Sequence, residues 1–268
     1  MRISAGERLA NHLILLGFAV LAFAPIASIV ITALSPRTGQ VPGPHPENFV
    51  EAWRIGEFAR YLQTSALVAV IVVVCALIAS VLAGYAFGTM RFKGATVIYY
   101  LFLFGLMVPT EAIVIPLFFD LRTLGLTDTL AAIALPQIAQ SVAFGVFWMR
   151  TQFRALPRSL TEAAAIDGAG PLRTLWRVLL PASLPALATL AVLVFMWTWN
   201  EFLIPLLMAP AGELRTAPLS LAIFKGQYTA ENALLAAAAI IVAAPIVIVF
   251  LVLQRHFIRG MLEGASKE

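Results

Sequence analysis

Four carboxylates stand out by where they sit. Glu111 and Glu201 fall inside long apolar runs, while Glu162 and Asp167 fall in a polar stretch, 150–181, between two such runs. A charged side chain at the centre of a membrane helix costs about 2.5–3.5 kcal/mol on insertion scales, so Glu111 and Glu201 should face a bundle interior or water. Such a group could hold a proton or a cation, or accept hydrogen bonds from a polar solute. Glu201 follows Trp197, Trp199 and Asn200. Aromatic faces beside amide and carboxylate acceptors suit sugar rings and hydroxyls, and the same tryptophans equally suit an interfacial belt or helix packing. Other reactive side chains are sparse. Cys75 is the one cysteine and lies in the apolar run from Val70 to Ile78, which excludes an internal disulfide and a cysteine-based metal cluster. His12, His45 and His256 are far apart and none has ligand spacing. No catalytic residue and no metal site is assigned. No phosphate-binding loop ending in Gly-Lys-Ser/Thr occurs, so this chain is expected to bind no nucleotide itself.

These groups need elements to hold them. Of 268 residues, 61% are hydrophobic and 12% charged, against about half and a quarter in a soluble domain. The chain reads as an all-α polytopic membrane protein. A helix needs about 20 mostly apolar residues to cross about 30 Å of hydrocarbon. Six segments meet this: 12–34, 61–88, 97–119, 130–149, 182–208 and 233–254. There is no tandem repeat or separate soluble domain, so a single transmembrane domain over 1–268 is expected. Arg2 and Arg8 ahead of the first run give it the look of a signal peptide. The run Leu13–Leu34 is longer than a signal-peptide core and no small-residue cleavage site follows, so it reads as a retained first span. Gln137, Gln140 and Ser141 in the fourth segment should face other helices. Pro109 and Pro116 on either side of Glu111 predict a broken or kinked third span, tolerated where it lines a cavity.

Six spans put both termini on one side. Of the 18 lysines and arginines, twelve fall on that side, among them Arg91, Lys93, Arg150, Arg154 and Arg158, and six on the other. The positive-inside rule then predicts that both termini and the 150–181 stretch are cytoplasmic. On the opposite side, 35–60 begins rich in proline and glycine and turns amphipathic at Phe49–Tyr61. An irregular loop and a short interfacial helix are expected there, with Trp53 and Tyr61 in an aromatic belt.

Within 150–181, Leu156-Pro157 should end the preceding helix, because a residue before proline avoids helical geometry. Ser159 or Thr161 can cap a new helix, with Glu162 favoured in its first turn. Gly168 and Gly170-Pro171 stop it, and Gly168 permits a tight turn. Leu172, Leu175, Trp176 and Leu179 recur at helical spacing before Pro181. This reads either as a helix-turn-helix offered to a partner or as an ordinary loop that shields the bundle.

Glu162-Ala163-Ala164, with Gly168 four residues after the second alanine and Leu180-Pro181 beyond it, resembles the EAA loop of inner-membrane permease subunits of binding-protein-dependent ABC importers. Phe153–Pro157 before it, Trp199–Pro205 after it and Gln254–Gly260 near the end resemble the carbohydrate-uptake branch, in particular the smaller maltose-type permease. The likeness runs over nearly the whole chain. Ala165 stands where that branch usually has arginine. The resemblance implies a type I importer bundle of six transmembrane helices with a cytoplasmic coupling helix. It implies that Glu162, Ala163, Ala164, Asp167 and Gly168 dock in a cleft of a cytoplasmic ATPase, with Phe257, Arg259 and Gly260 as a second ATPase contact. The implied partners are a second, similar permease, two ATPases carrying ATP and magnesium, and an extracytoplasmic solute-binding protein, in a prokaryotic inner membrane. The chain itself would be no enzyme and would bind neither a cofactor nor nucleic acid. Candidate solute-path residues are Glu111, Trp197, Asn200 and Glu201. The alternative is an ion-coupled secondary transporter using Glu111 or Glu201, against which stands the lack of an inverted repeat.

Overall fold

The computed structural model describes residues 5–224 and 231–265, with side chains over 6–224 and 231–254. All regular structure in these residues is helical. Four helices are long and apolar enough to cross a membrane, or six spans if each of two sharply bent helix pairs counts as one. Over the described residues the chain divides into two compact units, one holding the chain to Arg60 together with Ser220–Ala244, the other Tyr61–Leu219 and the chain from Pro245.

In the first unit, α1 (Ala5–Ala33) is apolar and exposed on nearly all sides. That is the pattern of a helix meant for lipid or a partner. Its C-terminal carbonyls would be orphans. The Asn48 amide donates to the Ala33 and Ser35 carbonyls, both at 3.0 Å, from the start of α2 (Glu47–Ile55). Asn48 is fully buried for this purpose. Arg37 pairs with Glu231 at 2.8 Å, and Phe58 stacks on Phe224 with ring centroids 6.5 Å apart. The short helix expected at 49–61 is α2, which begins earlier and ends at Ile55. Tyr61 belongs to the next helix and is buried, so it does not face an interface as expected, whereas Trp53 is exposed.

The second unit is built around α3 (Phe58–Thr89) and α6 (Leu130–Ala155). Val68, Val72 and Ala76 recur every fourth residue on α3 and meet Ile133, Met149 and Phe153 in one buried cluster. Gly84 of α3 and Gly145 of α6 let these helices approach closely: a Cβ at Gly84 would lie 2.6 Å from Met149 Cβ. Small residues serve this purpose between membrane helices, where packing replaces the hydrophobic drive. Gln137 and Ser141 are buried on α6, and the Gln140 amide donates to Thr110 Oγ1 at 2.8 Å. These polar groups face other helices, as the sequence predicts.

Two expected spans are not single helices. The third is α4 (Ala95–Met107) and α5 (Thr110–Thr123), bent by 101°. The break is at Val108, which is extended at φ −83° and ψ 114° because Pro109 follows it. The expected span 182–208 is α10 (Leu184–Asn200) followed, after an extended Glu201, by α11 (Leu203–Met208). The fourth span, in α6, runs past 149 to Ala155, and α12 (Asn232–Ala265) carries the last span.

Replacing Gly84 with valine is expected to destabilise the purified protein by about 1–3 kcal/mol, the usual range for overpacking. Thermal unfolding in detergent checks this, and Gly17→Val, where nothing lies within 4 Å, is the control expected to leave the midpoint unchanged.

Candidate functional site

The segment after α6 is held by contacts from distant parts of the second unit. Leu156 is extended ahead of Pro157, and α7 (Arg158–Ile166) starts directly after that proline. Neither Ser159 nor Thr161 caps it. Both lie inside the helix, since Pro157 already supplies a backbone angle suited to entry, and the Thr161 hydroxyl donates back to the Arg158 carbonyl at 2.8 Å. Its C-terminus is a Schellman closure. Ala169 N–H donates to the Ala164 carbonyl at 2.9 Å, and Gly168 N–H donates to the Ala165 carbonyl at 3.0 Å. Gly168 sits at φ +71° with open space around its Cα, so glycine is needed there for backbone conformation and not for room.

Beyond the turn, Pro171 opens α8 (Pro171–Thr174), and the Tyr85 hydroxyl of α3 donates to its carbonyl at 3.1 Å. Tyr85 also meets Phe153 edge to face, with centroids 6.1 Å apart. A π-helical turn, Leu175–Leu179, and α9 (Leu180–Ala182) follow. At Ser183 the chain bends by 80° into α10. A π turn shifts the register of side chains and is often found at functional sites.

Helix α7 has two faces. Ala164 is buried and Leu160 packs on the same core, one helical turn apart, against the turn that holds the buried Leu175 and Leu179. Glu162, Ala163, Asp167 and Gly168 are exposed, and Ile166 is 87% exposed. Of the five predicted docking residues, four are thus presented outward and Ala164 seats the helix instead. Ile166 was not singled out by sequence reasoning. Its signal is a large apolar side chain at the end of a polar helix; Leu172 and Trp176, further along the same stretch of sequence, are also exposed. Large apolar side chains exposed in a polar stretch are candidates for a contact surface.

The candidate solute-path residues are spread over two places. Trp197, Asn200 and Glu201 lie at the end of α10. Trp197 is half-exposed against Phe144, with centroids 5.0 Å apart, and the Asn200 amide donates to the Met196 carbonyl of its own helix at 2.8 Å. Glu201 Oε1 accepts from the N–H groups of Leu203 at 2.8 Å and Ile204 at 3.0 Å. It is therefore the cap of α11, a structural task that sequence reasoning missed. The signal was present: an acid two residues ahead of a short helix can accept from its first free N–H groups. Glu111 is exposed in the first turn of α5 and makes no hydrogen bond with the other three. Phe257, Arg259 and Gly260 lie where side chains are outside the described residues.

This fold and this outward-facing segment define a membrane transport subunit that works with partners. Residues 76–263 match the family described as binding-protein-dependent transport system inner membrane component. The chain belongs to that family, and it is a permease subunit of the ABC importer type. The arabinooligosaccharides transport system permease protein AraQ of Halalkalibacterium halodurans is 31% identical over 96% of this chain and 96% of its own length. The diacetylchitobiose uptake system permease protein NgcG of Streptomyces coelicolor is 28% identical over 96% of this chain and 88% of its own. Among solved structures, a bacterial ABC transporter involved in import of the acidic polysaccharide alginate matches with a TM-score of 0.77 and 25% identity, covering 96% of this chain and 99% of that one. The family places the protein in the inner membrane and implies a partner permease, an ATPase and a binding protein. The ion-coupled alternative finds no support in any of these relatives.

Two changes test the local structure. Gly168→Val should destabilise the α7 turn by about 1–2 kcal/mol, the usual cost of left-handed geometry in a residue with a Cβ, and Gly168→Asn by clearly less. The difference is read from the unfolding midpoints of the two purified variants. Glu201→Ala should cost about 0.5–2 kcal/mol through the lost cap. Glu201→Gln, which keeps an acceptor oxygen, should remain close to wild type in the same measurement.

Proposed function

We propose that this chain forms half of the translocation path for a carbohydrate or similar polyhydroxylated solute, and that α7 docks on the ATPase. The observation that carries the docking reading is the two-faced character of α7. Its inner face is locked on the bundle through Leu160 and Ala164, and its outer face carries Glu162, Ala163, Ile166 and Asp167 into open space. A helix seated in this way moves as one piece with the bundle. A push on its outer face is passed through the π turn to the bend at Ser183 and into α10.

The solute class follows from the relatives, whose names refer to arabino-oligosaccharides, diacetylchitobiose and alginate. Trp197 and Asn200, at the open end of α10, have the chemistry to meet sugar faces and hydroxyls. Glu111 is a further candidate on the path. Both termini and α7 lie on the cytoplasmic side in this reading, from the excess of basic residues there. The energy comes from ATP and magnesium on two ATPase subunits that close together, draw in one coupling helix from each permease, and rock the two halves of the pore. The second permease is a different but similar chain. The C-terminal residues Phe257, Arg259 and Gly260 supply a further ATPase contact.

Co-purification of the ATPase with Ile166→Arg, after expression with the native partners, tests the docking face. The variant should lose about tenfold or more in association, the effect of removing one buried anchor from an interface. Glu162→Ala should have a smaller effect, since exposed ion pairs contribute little. Full ATPase recovery and solute uptake with both changes combined would rule out α7 as the docking element.

A further inference from the structure

Beside α7 the second unit holds a cavity of about 620 Å³, and of its lining residues the transport reading uses Glu162 alone. Its walls come from the end of α3, the turn 90–94, the start of α4, the end of α6 and the start of α7. Four arginines line it: Arg91, Arg150, Arg154 and Arg158. One acid, Glu162, lies at its edge and forms no ion pair with any of them. Arg150 is fixed in place. Its Nε donates to the Phe87 carbonyl at 3.3 Å, and its guanidinium carbon lies 3.9 Å from the centre of the Tyr99 ring. Arg91, Arg154 and Arg158 are exposed and have no acidic partner among the described residues. Like charges gathered at one end of a bundle repel one another, so the grouping is stable only with an anion or with ample water.

We propose that this cavity binds the headgroup of an anionic phospholipid. Charge alone would admit any phosphate or carboxylate, and the wall formed by α4 selects a lipid. Tyr100 lines the cavity and is 63% exposed. It lies on the same helical stripe as Val97, Leu101 and Phe104, which are 65%, 64% and 65% exposed. The stripe runs from the cavity along an apolar helix. A phosphate held by the arginines would leave its acyl chains lying along that stripe. Basic pockets between membrane helices bind anionic headgroups by this combination of charge and adjoining apolar surface. Since Arg158 opens α7, an occupied cavity would also brace the α7 entry. The inference rests on the bundle crossing a membrane and not on α7 docking an ATPase.

The test uses the full chain with whatever subunits co-purify, placed in nanodiscs of phosphatidylcholine with a minor fraction of phosphatidylglycerol. Retained lipids are counted by native mass spectrometry. Wild type should keep phosphatidylglycerol in preference to phosphatidylcholine. The preference should fall about fivefold for each of Arg91, Arg154 and Arg158 changed to glutamine, the ratio that corresponds to about 1 kcal/mol per basic residue. The triple lysine variant should keep most of it, which separates charge from folding. No preference in wild type, or an equal preference in the triple glutamine variant, would overturn the proposal. Displacement of the lipid by glycerol phosphate would assign the cavity to a soluble phosphate instead. Loss of the ATPase from the triple glutamine variant in pure phosphatidylcholine would assign it to an acidic segment of that partner.

Discussion

The constraint on which the structure depends is that backbone polar groups in an apolar solvent must be satisfied within the protein. Long helices meet it along their length and fail it at their ends and breaks. Each break in this chain has a specific remedy. Asn48 takes the last carbonyl of α1 and that of Ser35 just beyond it, Glu201 takes the first N–H groups of α11, and the Gly168 turn closes α7 by its own backbone. At Val108 the break follows from the proline, which could not have donated a hydrogen bond in any case. The Asn48 and Asn200 amide groups and the Glu201 carboxylate are thus engaged with backbone groups of the fold. Any solute contact has to share those groups, as Glu201 illustrates.

The same logic explains why the segment after α6 is ordered. It is short, and a short helix in isolation is marginal. Its order comes from elsewhere: Tyr85, 86 residues away in the chain, holds the Pro171 carbonyl, and α7, with Ala164 buried, packs on the turn that holds Leu175 and Leu179. A segment fixed at both ends and on one face can carry a displacement applied to its other face. A loop without these contacts would absorb it. The helical elements expected there are observed, as α7 and the helical turns that follow Pro171.

Charge is distributed by a different rule. Four of the twelve basic residues that mark the predicted cytoplasmic side are separated in sequence, Arg91 from Arg150, Arg154 and Arg158. The fold collects them around one cavity, next to the element read as the coupling helix. Topology signals of this kind are usually treated as bulk asymmetry. Here the asymmetry becomes a local field with a defined shape.

Local chemistry and periodicity are enough to read the helical class, the number of apolar segments, the break at Pro109 and the tight turn at Gly168, whereas the family is read from a resemblance of motifs. Each of these depends on residues within a turn or two of one another, or on composition over a span. The sequence did not determine which face of α7 is buried, because Ala163, Ala164 and Ala165 are equivalent until Leu175 and Leu179 select one of them. It did not assign Glu201 to a cap or Tyr61 to the interior, since both choices depend on where the following backbone turns. Nor did it gather the four arginines. Those outcomes belong to tertiary structure, because a side chain's partner in a bundle is set by neighbours tens of residues away, and periodicity along one helix carries no information about them.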